Sequence, residues 1–404
     1  MSSFLSYATN KKTLDDINVS KKRVILRVDL NVPLDHNLEV MDTTKIDSSL
    51  PTIKYLLKNK ASVILISHLG RPKGKVEERL RLLPVARKLE DKLGQPVLYV
   101  KSAVGPEVER IVETLRPGEI LMLDNIRFYS EEEENEPEFA QKLASYGDIF
   151  VNDAFGTLHR AHASTVGIAR FLPAVAGFLV EKEIKYFAGI FENPQKPFTV
   201  ILGGSKVSTK IGVINSLMKT VDKLLIGGAM CFTFLKTLGK KIGKSMYEPD
   251  KIDLAYHILE EAKKNNVEIV LPVDIVVASE VTNNAEKDIV SVDNIPDNMI
   301  GVDIGPKTIE IFKSKINGSK MIFWNGPMGV FEIPRFANGT LSIAKIMAEE
   351  KNAITIVGGG ESVMATNIAE VQDKMTHVST GGGATLEFLE GKKLPGITAL
   401  MDKD

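Results

Sequence analysis

Short apolar runs alternate with stretches of helical periodicity in the first half of the chain. Residues 23–28 and 62–67 predict buried strands, and the segment between them carries apolar residues on one helical face, with Asp42 as a candidate cap and Pro51 as a candidate kink or boundary. The other predicted elements are strands 96–100, 120–123 and 148–151 and helices 84–93, 106–115 and 137–145. Strands separated by helices favour a parallel sheet covered by helices.

The same alternation restarts after a polar, proline-containing segment, residues 192–197, which follows a long predicted helix at residues 178–191. The elements beyond it are strands 199–202, 223–226, 268–270, 273–278, 319–323 and 353–357 and helices 229–238, 249–265, 306–316, 338–350 and one from Thr385. No internal repeat is visible. The pattern therefore predicts two α/β halves of similar size.

The middle of the chain carries a candidate anion site. A strand at 199–202 ends in two glycines, Ser205 is a candidate helix cap, and Lys206 and Lys210 are four residues apart. In a helix that spacing places both ammonium groups on one face, and a helix N-terminus favours a phosphate. The spacing does not match the P-loop pattern. An ordinary strand–helix turn with two solvated lysines is the alternative interpretation.

An acidic run at residues 131–134 precedes the helix predicted at 137–145. Blocks of like charge usually face water. We therefore expect this run to form a solvated loop or a first helical turn.

Composition narrows the class of protein. The 404 residues are 44% hydrophobic and 25% charged, with a net charge of −1, so there is no overall basic field for nucleic acid. One cysteine, Cys231, excludes an internal disulfide framework and a multi-cysteine metal site. No apolar run approaches the ~18–20 residues of a membrane span, and the first residues lack a secretory pattern. A cytosolic protein is expected.

Polar and basic residues follow the predicted strands of the first half. In open parallel sheets this edge is where ligands bind, and arginine forks match phosphate and carboxylate oxygens. The residues in question are Asp29, Asn31, His68, Arg71, Arg127, His159, Arg160 and His162. Surface arginines and capping histidines are the alternative, but their joint position favours a small anion as ligand.

Glycine clusters follow the predicted strands of the second half, at 203–204, 227–228, 326–329, 358–360 and 381–383. Glycine lets backbone amides approach a phosphate chain, and a carboxylate such as Glu361 suits Mg²⁺ that accompanies a nucleotide. Tight turns are the alternative. An anion site and a nucleotide site together favour phosphoryl transfer with domain closure. No general base is evident, and a carboxylate acceptor, already ionised at pH 7, needs none.

Eight motifs in order along essentially the whole chain resemble phosphoglycerate kinases. They are RVDLNVP (27–33), SHLGRPKG (67–74), DNIRF (124–128), NDAFGTLHRAHAST (152–165), LGGSKVSTKIGVI (202–214), WNGPMGVFE (324–332), GGGES (358–362) and STGGGATLEFLEG (379–391). The resemblance implies two Rossmann-like three-layer α/β/α domains with mainly parallel sheets, joined by a hinge helix. Residues 1–185 are expected to bind phosphoglycerate, residues 186–390 to bind nucleotide, and the tail 391–404 to pack on the first domain.

The implied activity is reversible phosphoryl transfer between ATP and the carboxylate of 3-phospho-D-glycerate, giving ADP and 1,3-bisphosphoglycerate, by hinge-bending domain closure. Such a reaction belongs to glycolysis, gluconeogenesis or carbon fixation. Mg²⁺ is the implied cofactor. ATP and 3-phosphoglycerate are the implied partners of a cytoplasmic monomer that binds neither nucleic acid nor membrane.

The resemblance also implies roles for individual residues. Asp29 and Asn31 hold the hydroxyl and carboxylate region of the glycerate, and Lys45 stabilises the transferring group. Lys206 follows the phosphoryl group, and Gly382 and Gly383 donate amides to the transition state. The patch for the substrate phosphate is His68, Arg71, Arg127 and Arg160. The nucleotide site is Gly203, Lys206, Lys210, Gly228, Gly305, Asn325, Glu332, Gly359, Gly360, Glu361 and Ser362, with Glu332 at the ribose and Glu361 at Mg²⁺, mainly through nucleotide phosphates.

Three positions depart from the family pattern. Lys45 replaces an arginine and loses its bidentate fork. Glu361 replaces an aspartate, which moves the carboxylate by about one bond length, and Asp124 replaces a glutamate. Lys45 and Glu361 leave open an alternative, a catalytically weakened relative that binds nucleotide or phosphoglycerate. A nicotinamide-dependent oxidoreductase is disfavoured because no G-x-G-x-x-G fingerprint follows the first strand.

Overall fold

The computed structural model describes residues 2–404 and divides them into two compact units. One contains the chain up to Lys185 together with Lys393–Asp404, and the other contains Tyr186–Lys392. Each unit has its own six-stranded sheet with helices, which confirms the predicted α/β class. Among the helices of the described chain, none combines the length and hydropathy that a bilayer crossing requires.

The first unit is built on a wholly parallel sheet. Its strands are β1 (Arg23–Val28), β2 (Ser62–Ile66), β3 (Leu98–Val100), β4 (Ile120–Leu123), β5 (Ile149–Asp153) and β6 (Ala174–Ala176), in the order β3-β4-β2-β1-β5-β6. The central strands are buried along nearly their whole length, as expected when helices cover both faces of a sheet. Strands β1, β2, β4 and β5 therefore end at one edge, where the polar residues of the first half follow them.

Most helices of this unit match the predicted pattern with small shifts at their ends, but the first was not predicted, and the one that begins at Phe178 continues past Lys185 into the second unit. They are α1 (Ser2–Thr9), α2 (Thr44–Lys58), α3 (Leu83–Leu93), α4 (Pro106–Thr114), α5 (Ser130–Glu133), α6 (Pro137–Ala144) and α7 (Phe178–Glu192). Helix α2 continues through Pro51, so this proline is not a boundary. Asp42 accepts a hydrogen bond from the Thr44 amide (2.8 Å) and so supports the start of α2.

The acidic run is not uniformly solvated, contrary to expectation. It forms the short helix α5, and the Glu132 side chain on it is completely buried. Its carboxylate accepts two hydrogen bonds from Ser164, from the amide (2.8 Å) and the hydroxyl (2.6 Å). A buried carboxylate needs such partners, and here they come from a segment 32 residues later in the chain, which charge patterning does not reveal.

The last residues of the chain contact its beginning within the first unit. Tyr7 Oη accepts a hydrogen bond from the Leu394 amide (3.1 Å), and Lys11 Nζ donates to the Leu400 carbonyl (2.8 Å). Lys11 also pairs with Asp402 at 2.7 Å. These bonds anchor a tail that is too short to build a core of its own.

The second unit combines a parallel sheet with a small antiparallel one. Its strands are β7 (Phe198–Leu202), β8 (Lys223–Ile226), β9 (Glu268–Val270), β10 (Asp274–Ala278), β11 (Lys287–Ser291), β12 (Ile300–Ile304), β13 (Met321–Asn325), β14 (Ile354–Gly358) and β15 (His377–Val378). The parallel order is β15-β14-β13-β7-β8-β9, and the antiparallel order is β11-β10-β12. Strands β11 and β12 were not predicted, because β11 is mostly exposed and carries no apolar run.

Helices cover this second sheet, and one small helix lies in the tail. They are α8 (Ile211–Leu217), α9 (Met230–Thr237), α10 (Ile252–Lys264), α11 (Pro306–Ile316), α12 (Asn338–Glu349), α13 (Gly360–Ile368), α14 (Gly383–Leu389) and, in the tail, α15 (Pro395–Thr398). Trp324 on β13 is fully buried in the core, and its Nε1 donates to the Gly326 carbonyl (2.8 Å). This bond fixes the first turn of the loop after β13.

Helix α7 is anchored at both ends. At its start, Asp153 Oδ1 accepts hydrogen bonds from the Leu179 amide (2.8 Å) and the Val180 amide (3.3 Å). Near its end, the Tyr186 ring stacks on His377 at 4.6 Å between centroids, inside the second unit. The N-terminal anchor is a buried carboxyl group, and burial raises the pKa of Asp153 to about 6.

Because of the Asp153 carboxyl group, the free energy of unfolding should decrease as the pH rises. Its folded pKa (about 6) lies above its unfolded value (3.8), so its contribution is present below pH 4 and is lost as the pH rises through 6. We expect Asp153→Asn, which keeps an acceptor for the cap, to remove this loss, worth about 3 kcal/mol at most. Thermal unfolding of wild type and variant from pH 4 to pH 7 measures the difference.

The exposed Ser20 supplies the control, since Ser20→Ala removes no titratable group and should leave the pH dependence of the melting temperature unchanged. A difference between wild type and Asp153→Asn that does not change with pH would contradict the assignment.

Candidate active site

The loops after β1 and β2 are tied together in the first unit. Asp29 is buried; its Oδ2 pairs with Lys45 Nζ at 2.8 Å, and its Oδ1 accepts from the Asn31 amide (3.1 Å). Asn31 Oδ1 in turn accepts from the Gly70 amide (2.8 Å). Three of the predicted substrate-binding residues, Asp29, Asn31 and Lys45, are thus brought together.

A cluster of arginines adjoins these loops. Arg127 is buried, and its Nη1 donates to the Gly70 carbonyl (3.0 Å). Its Nε has no hydrogen-bond partner among residues 2–404, although Glu133 lies 3.6 Å away. Burial, then the charges of Arg27 and Arg160, lower the pKa of Arg127 to about 10. Because a buried guanidinium near other positive charges lacks compensation, it favours the binding of an anion.

Two histidines of this edge, His68 and His159, are neutral at pH 7. Arg160 Nε donates to His159 Nε2 (3.2 Å), and burial together with the Arg160 charge lowers the pKa of His159 to about 4. Burial and neighbouring cations hold the pKa of His68 well below its ordinary value. The arginines and Lys45 therefore supply positive charge at this edge, and His68 and His159 do not.

Arg71 is the exception among the predicted ligands of the first unit. It is exposed, and its side chain makes no hydrogen bond or ion pair within the described residues. Its place in the patch stays a prediction. Asp124, the predicted departure from a glutamate, is buried; it accepts from Arg81 Nη1 (2.5 Å) and from the Leu82 amide (3.0 Å), so it anchors the start of α3.

Two charged residues of this edge were missed by the sequence analysis. Arg27 on β1 and Glu132 on α5 are both completely buried next to the histidines and arginines. The available signal was Arg27 itself, a charged residue inside the apolar run RVILRV. An internal arginine in a buried strand requires partners, and their identity lies far away in sequence.

The two lysines of the middle segment do not share a helical face, so that prediction is wrong. A single 3₁₀ turn, Val207–Thr209, follows β7, and α8 begins only at Ile211. Ser205 therefore does not cap it. Glu248 stabilises the 3₁₀ turn instead: its carboxylate accepts hydrogen bonds from the Ser208 amide (3.0 Å) and the Ser208 hydroxyl (2.5 Å). As a result Lys206 is exposed while Lys210 is buried.

Lys210 is hydrogen-bonded to Asn325 and lies in the field of the Glu361 carboxylate. Its Nζ donates to Asn325 Oδ1, and burial lowers the pKa of Lys210 to about 8 although Glu361 acts in the opposite direction. The Nδ2 of Asn325 is buried without a hydrogen-bond partner in the described chain. Within residues 2–404, neither the buried Lys210 ammonium nor the Asn325 amide group has a hydrogen-bond acceptor for every donor, and this favours binding of a phosphate beside them.

A cavity of about 270 Å³ opens in the second unit. It includes the predicted residues Gly228, Glu332 and Glu361, and its walls include Phe232 and Met328. Apolar walls with polar groups at the ends suit a flat ring with a polar tail. Gly228 adopts φ +64°, and a Cβ there would lie 2.5 Å from the Gly204 amide nitrogen, so the two loops meet backbone to backbone.

Other predicted nucleotide residues shape these loops from outside the cavity. Gly305 precedes α11 and packs on Asp274, and Ser362 Oγ accepts from the Gly326 amide (2.6 Å). Gly203 is buried against the Pro327 carbonyl, and Gly359 and Gly360 form the start of α13. Their direct contact with a nucleotide stays a prediction.

The glycines before α14 form a tight turn. Gly382 has φ +51° and precedes the first helical residue, Gly383. Ser379 Oγ accepts from the Gly381 amide (3.1 Å) and lies 2.9 Å from the Thr385 hydroxyl. The turn is thus fixed by side chains within its own unit.

The donor set for a metal is small. Residues 2–404 contain no group of three or more His, Cys, Asp or Glu side chains with metal-ligand geometry. Glu361 and Glu332 are the exposed carboxylates that line the cavity in the described chain, and Glu361 is the one that acts on Lys210. This arrangement fits Mg²⁺, which is commonly held by one or two carboxylates plus substrate phosphates.

Comparison with known proteins agrees with this geometry. The family model described as phosphoglycerate kinase matches residues 14–392. A phosphoglycerate kinase of Dictyoglomus turgidum is 54% identical over 396 residues, covering 97% of this chain and 100% of the relative. A cytosolic phosphoglycerate kinase of Nicotiana tabacum is 53% identical over 393 residues, covering 96% and 98%.

Solved structures give the same result. The phosphoglycerate kinase of Coxiella burnetii is 40% identical and superposes with a TM-score of 0.84, over 96% of this chain and 98% of that one. The phosphoglycerate kinase of Pyrococcus horikoshii is 33% identical, with the same TM-score and coverage. The similarity extends over both units.

Binding of ADP should involve proton uptake by Lys210. A phosphate near Nζ favours the charged form of a lysine whose pKa is about 8, so affinity should fall as the pH rises through 8. Calorimetric titration at pH 8 in two buffers of different ionisation enthalpy measures the uptake. We expect up to about half a proton per ADP for wild type and none for Lys210→Met. Equal uptake by both proteins would assign the proton to another group.

Proposed function

This chain belongs to the phosphoglycerate kinase family, and from that premise we propose how its residues share the work of the reaction. The enzyme is a transferase of glycolysis. It moves a phosphoryl group reversibly between ATP and the carboxylate of 3-phosphoglycerate, giving ADP and 1,3-bisphosphoglycerate. One observation above all supports placing the phosphoglycerate site at this edge of the first unit. Arg127 is buried beside other cations, and its Nε has no hydrogen-bond partner in the described chain.

The first unit binds phosphoglycerate. Arg127 and Arg160, with Arg71 and His68, receive the substrate phosphate, because guanidinium groups bind phosphate oxygens in pairs. Asp29 and Asn31 orient the hydroxyl and carboxylate end. Lys45, held by Asp29 at 2.8 Å, supplies a positive charge for the transferring group.

The second unit binds the nucleotide. The cavity takes the adenosine, with Glu332 at the ribose, while Lys210 and Asn325 receive phosphates. Glu361 holds Mg²⁺ together with the nucleotide phosphates, and the metal supplies charge neutralisation when bound. The exposed Lys206 follows the phosphoryl group, and the amides of Gly382 and Gly383 stabilise its oxygens.

No residue needs to act as a general base. The acceptor carboxylate is ionised at pH 7, so the remaining tasks are alignment and stabilisation of negative charge. This explains why the edge of the first unit carries charged arginines beside neutral histidines rather than a poised carboxylate. Hinge-bending closure, a monomeric state and a cytoplasmic location complete the proposal; the Nicotiana tabacum relative is named cytosolic, whereas one from Volvox carteri is named chloroplastic.

A coupled assay with ATP, Mg²⁺ and 3-phosphoglycerate tests the activity and the role of Lys206 together. We expect turnover by the wild type and a loss of transition-state stabilisation of about 2–4 kcal/mol in Lys206→Ala, seen in kcat. Lys219→Ala, which removes a lysine elsewhere in the same unit, is the control. Absence of wild-type turnover at saturating substrates would refute the activity, and near-normal kcat in Lys206→Ala would refute the role.

Lys45→Arg tests how much the absence of a bidentate guanidinium at position 45 reduces catalysis. Arginine can contact the transferring group through two parallel donors, so kcat should rise by up to about tenfold, roughly 1.4 kcal/mol, with KM for ATP unchanged. Steady-state kinetics in both directions measure it. If the wild type were inactive and Lys45→Arg combined with Glu361→Asp were active, the chain would be the weakened relative instead.

A further inference from the structure

The buried charge of Glu132 is connected to the substrate edge by a continuous chain of hydrogen bonds. Ser164 Oγ donates to Glu132 Oε1 (2.6 Å) and accepts from Arg27 Nε (2.8 Å). Arg27 and Glu132 are both fully buried. Although burial acts in the opposite direction, His162 and Arg27 lower the pKa of Glu132, so the carboxylate is charged at pH 7.

Every nitrogen of the Arg27 guanidinium is occupied inside the protein. Nε binds Ser164, Nη1 donates to the Val28 carbonyl, and Nη2 lies 3.2 Å from His68 Nδ1. Arg27 is therefore placed to orient its neighbours rather than to bind the substrate.

The contact between Arg27 and His68 fixes the position of a proton. A guanidinium has donors only, so His68 Nδ1 must accept, and the proton of the neutral ring must reside on Nε2. The Nε2 atom has no hydrogen-bond partner within residues 2–404. His68 thus has one N–H available to donate to an anion.

We propose that Glu132 is a positioning residue that acts through Ser164 and Arg27 to hold His68 as the neutral Nε2–H tautomer, which donates to an oxygen of the bound phosphoglycerate. The proposal rests on the proposed function for the location of the substrate. Without Glu132, Arg27 would keep only Asp29 as a carboxylate counter-charge and would lose the Ser164 link to a buried anion, so its orientation toward His68 would be lost.

The surroundings of His68 agree with a neutral ring. The groups that face it are Arg27, Arg127, Lys45 and His162. Burial and these charges hold the pKa of His68 well below its ordinary value, so the imidazolium form is absent at pH 7. A neutral donor keeps the same hydrogen-bonding pattern between pH 6 and 8, which an ordinary histidine does not.

Nitrogen-15 NMR of the free full-length enzyme, labelled in histidine, tests the tautomer at pH 7. We expect a protonated Nε2 and an unprotonated Nδ1 for His68, assigned with His68→Gln. A protonated Nδ1, or a charged ring, would overturn the proposal. This measurement needs no substrate, so it decides the tautomer even if the coupled assay were to refute the proposed function.

Variants of the connecting residues test the consequence. Ser164→Ala removes the link but keeps both charges, and should raise KM for 3-phosphoglycerate about tenfold while leaving KM for ATP unchanged and mixing the His68 tautomers. Glu132→Gln should act in the same direction. Glu134→Gln, at an exposed glutamate of the same acidic run, should change neither quantity. A Ser164→Ala enzyme that is less stable yet has an unaltered tautomer and KM would show a purely structural network and overturn the proposal.

Discussion

Parallel strand pairing is the constraint on which both candidate sites depend. Parallel strands require crossover connections, so the central strands of each unit end at the same edge, and their loops converge there. Asp29 and Gly70 belong to loops after neighbouring strands, and so do Gly204 and Pro327. Residues separated by more than a hundred positions therefore meet in the second unit without any local sequence signal.

Convergence at one edge creates an electrostatic problem that the two units solve differently. In the first unit several cations approach one another, His68 and His159 stay neutral, and the carboxylates of Glu132 and Asp29 act on Arg27 from within the protein. In the second unit the site is formed mainly by backbone groups of glycine loops in close contact. Its buried lysine, Lys210, is partly neutral near pH 8 because burial lowers its pKa. In both arrangements buried positive charge is incompletely compensated, and this favours binding of an anion.

The sequence predicted the α/β class, nearly all parallel strands and the family, because buried strands and glycine turns leave strong local patterns. It did not predict the exposed strand β11, strand β12 with its internal Gly301 and Asp303, or the very short strands β6 and β15. It also did not predict the break between Lys206 and Lys210. That break depends on Glu248, 40 residues away, which captures Ser208 in a 3₁₀ turn. Glu132 was misjudged for the same reason, since its burial depends on Ser164. Long-range polar contacts of this kind overrule a local pattern and are invisible to it.

The two substitutions at charged positions acquire a physical meaning from their contacts. Lys45 is held by the buried Asp29, so it keeps a fixed position with a compact charge, and the loss relative to arginine is of bidentate geometry and not of charge. Glu361 is exposed at the start of α13, where a longer side chain has room to adjust. A metal held mainly by phosphates tolerates such an adjustment better than one in a rigid protein cage. The geometry is therefore more compatible with a working enzyme of altered efficiency than with a site that has lost its chemistry.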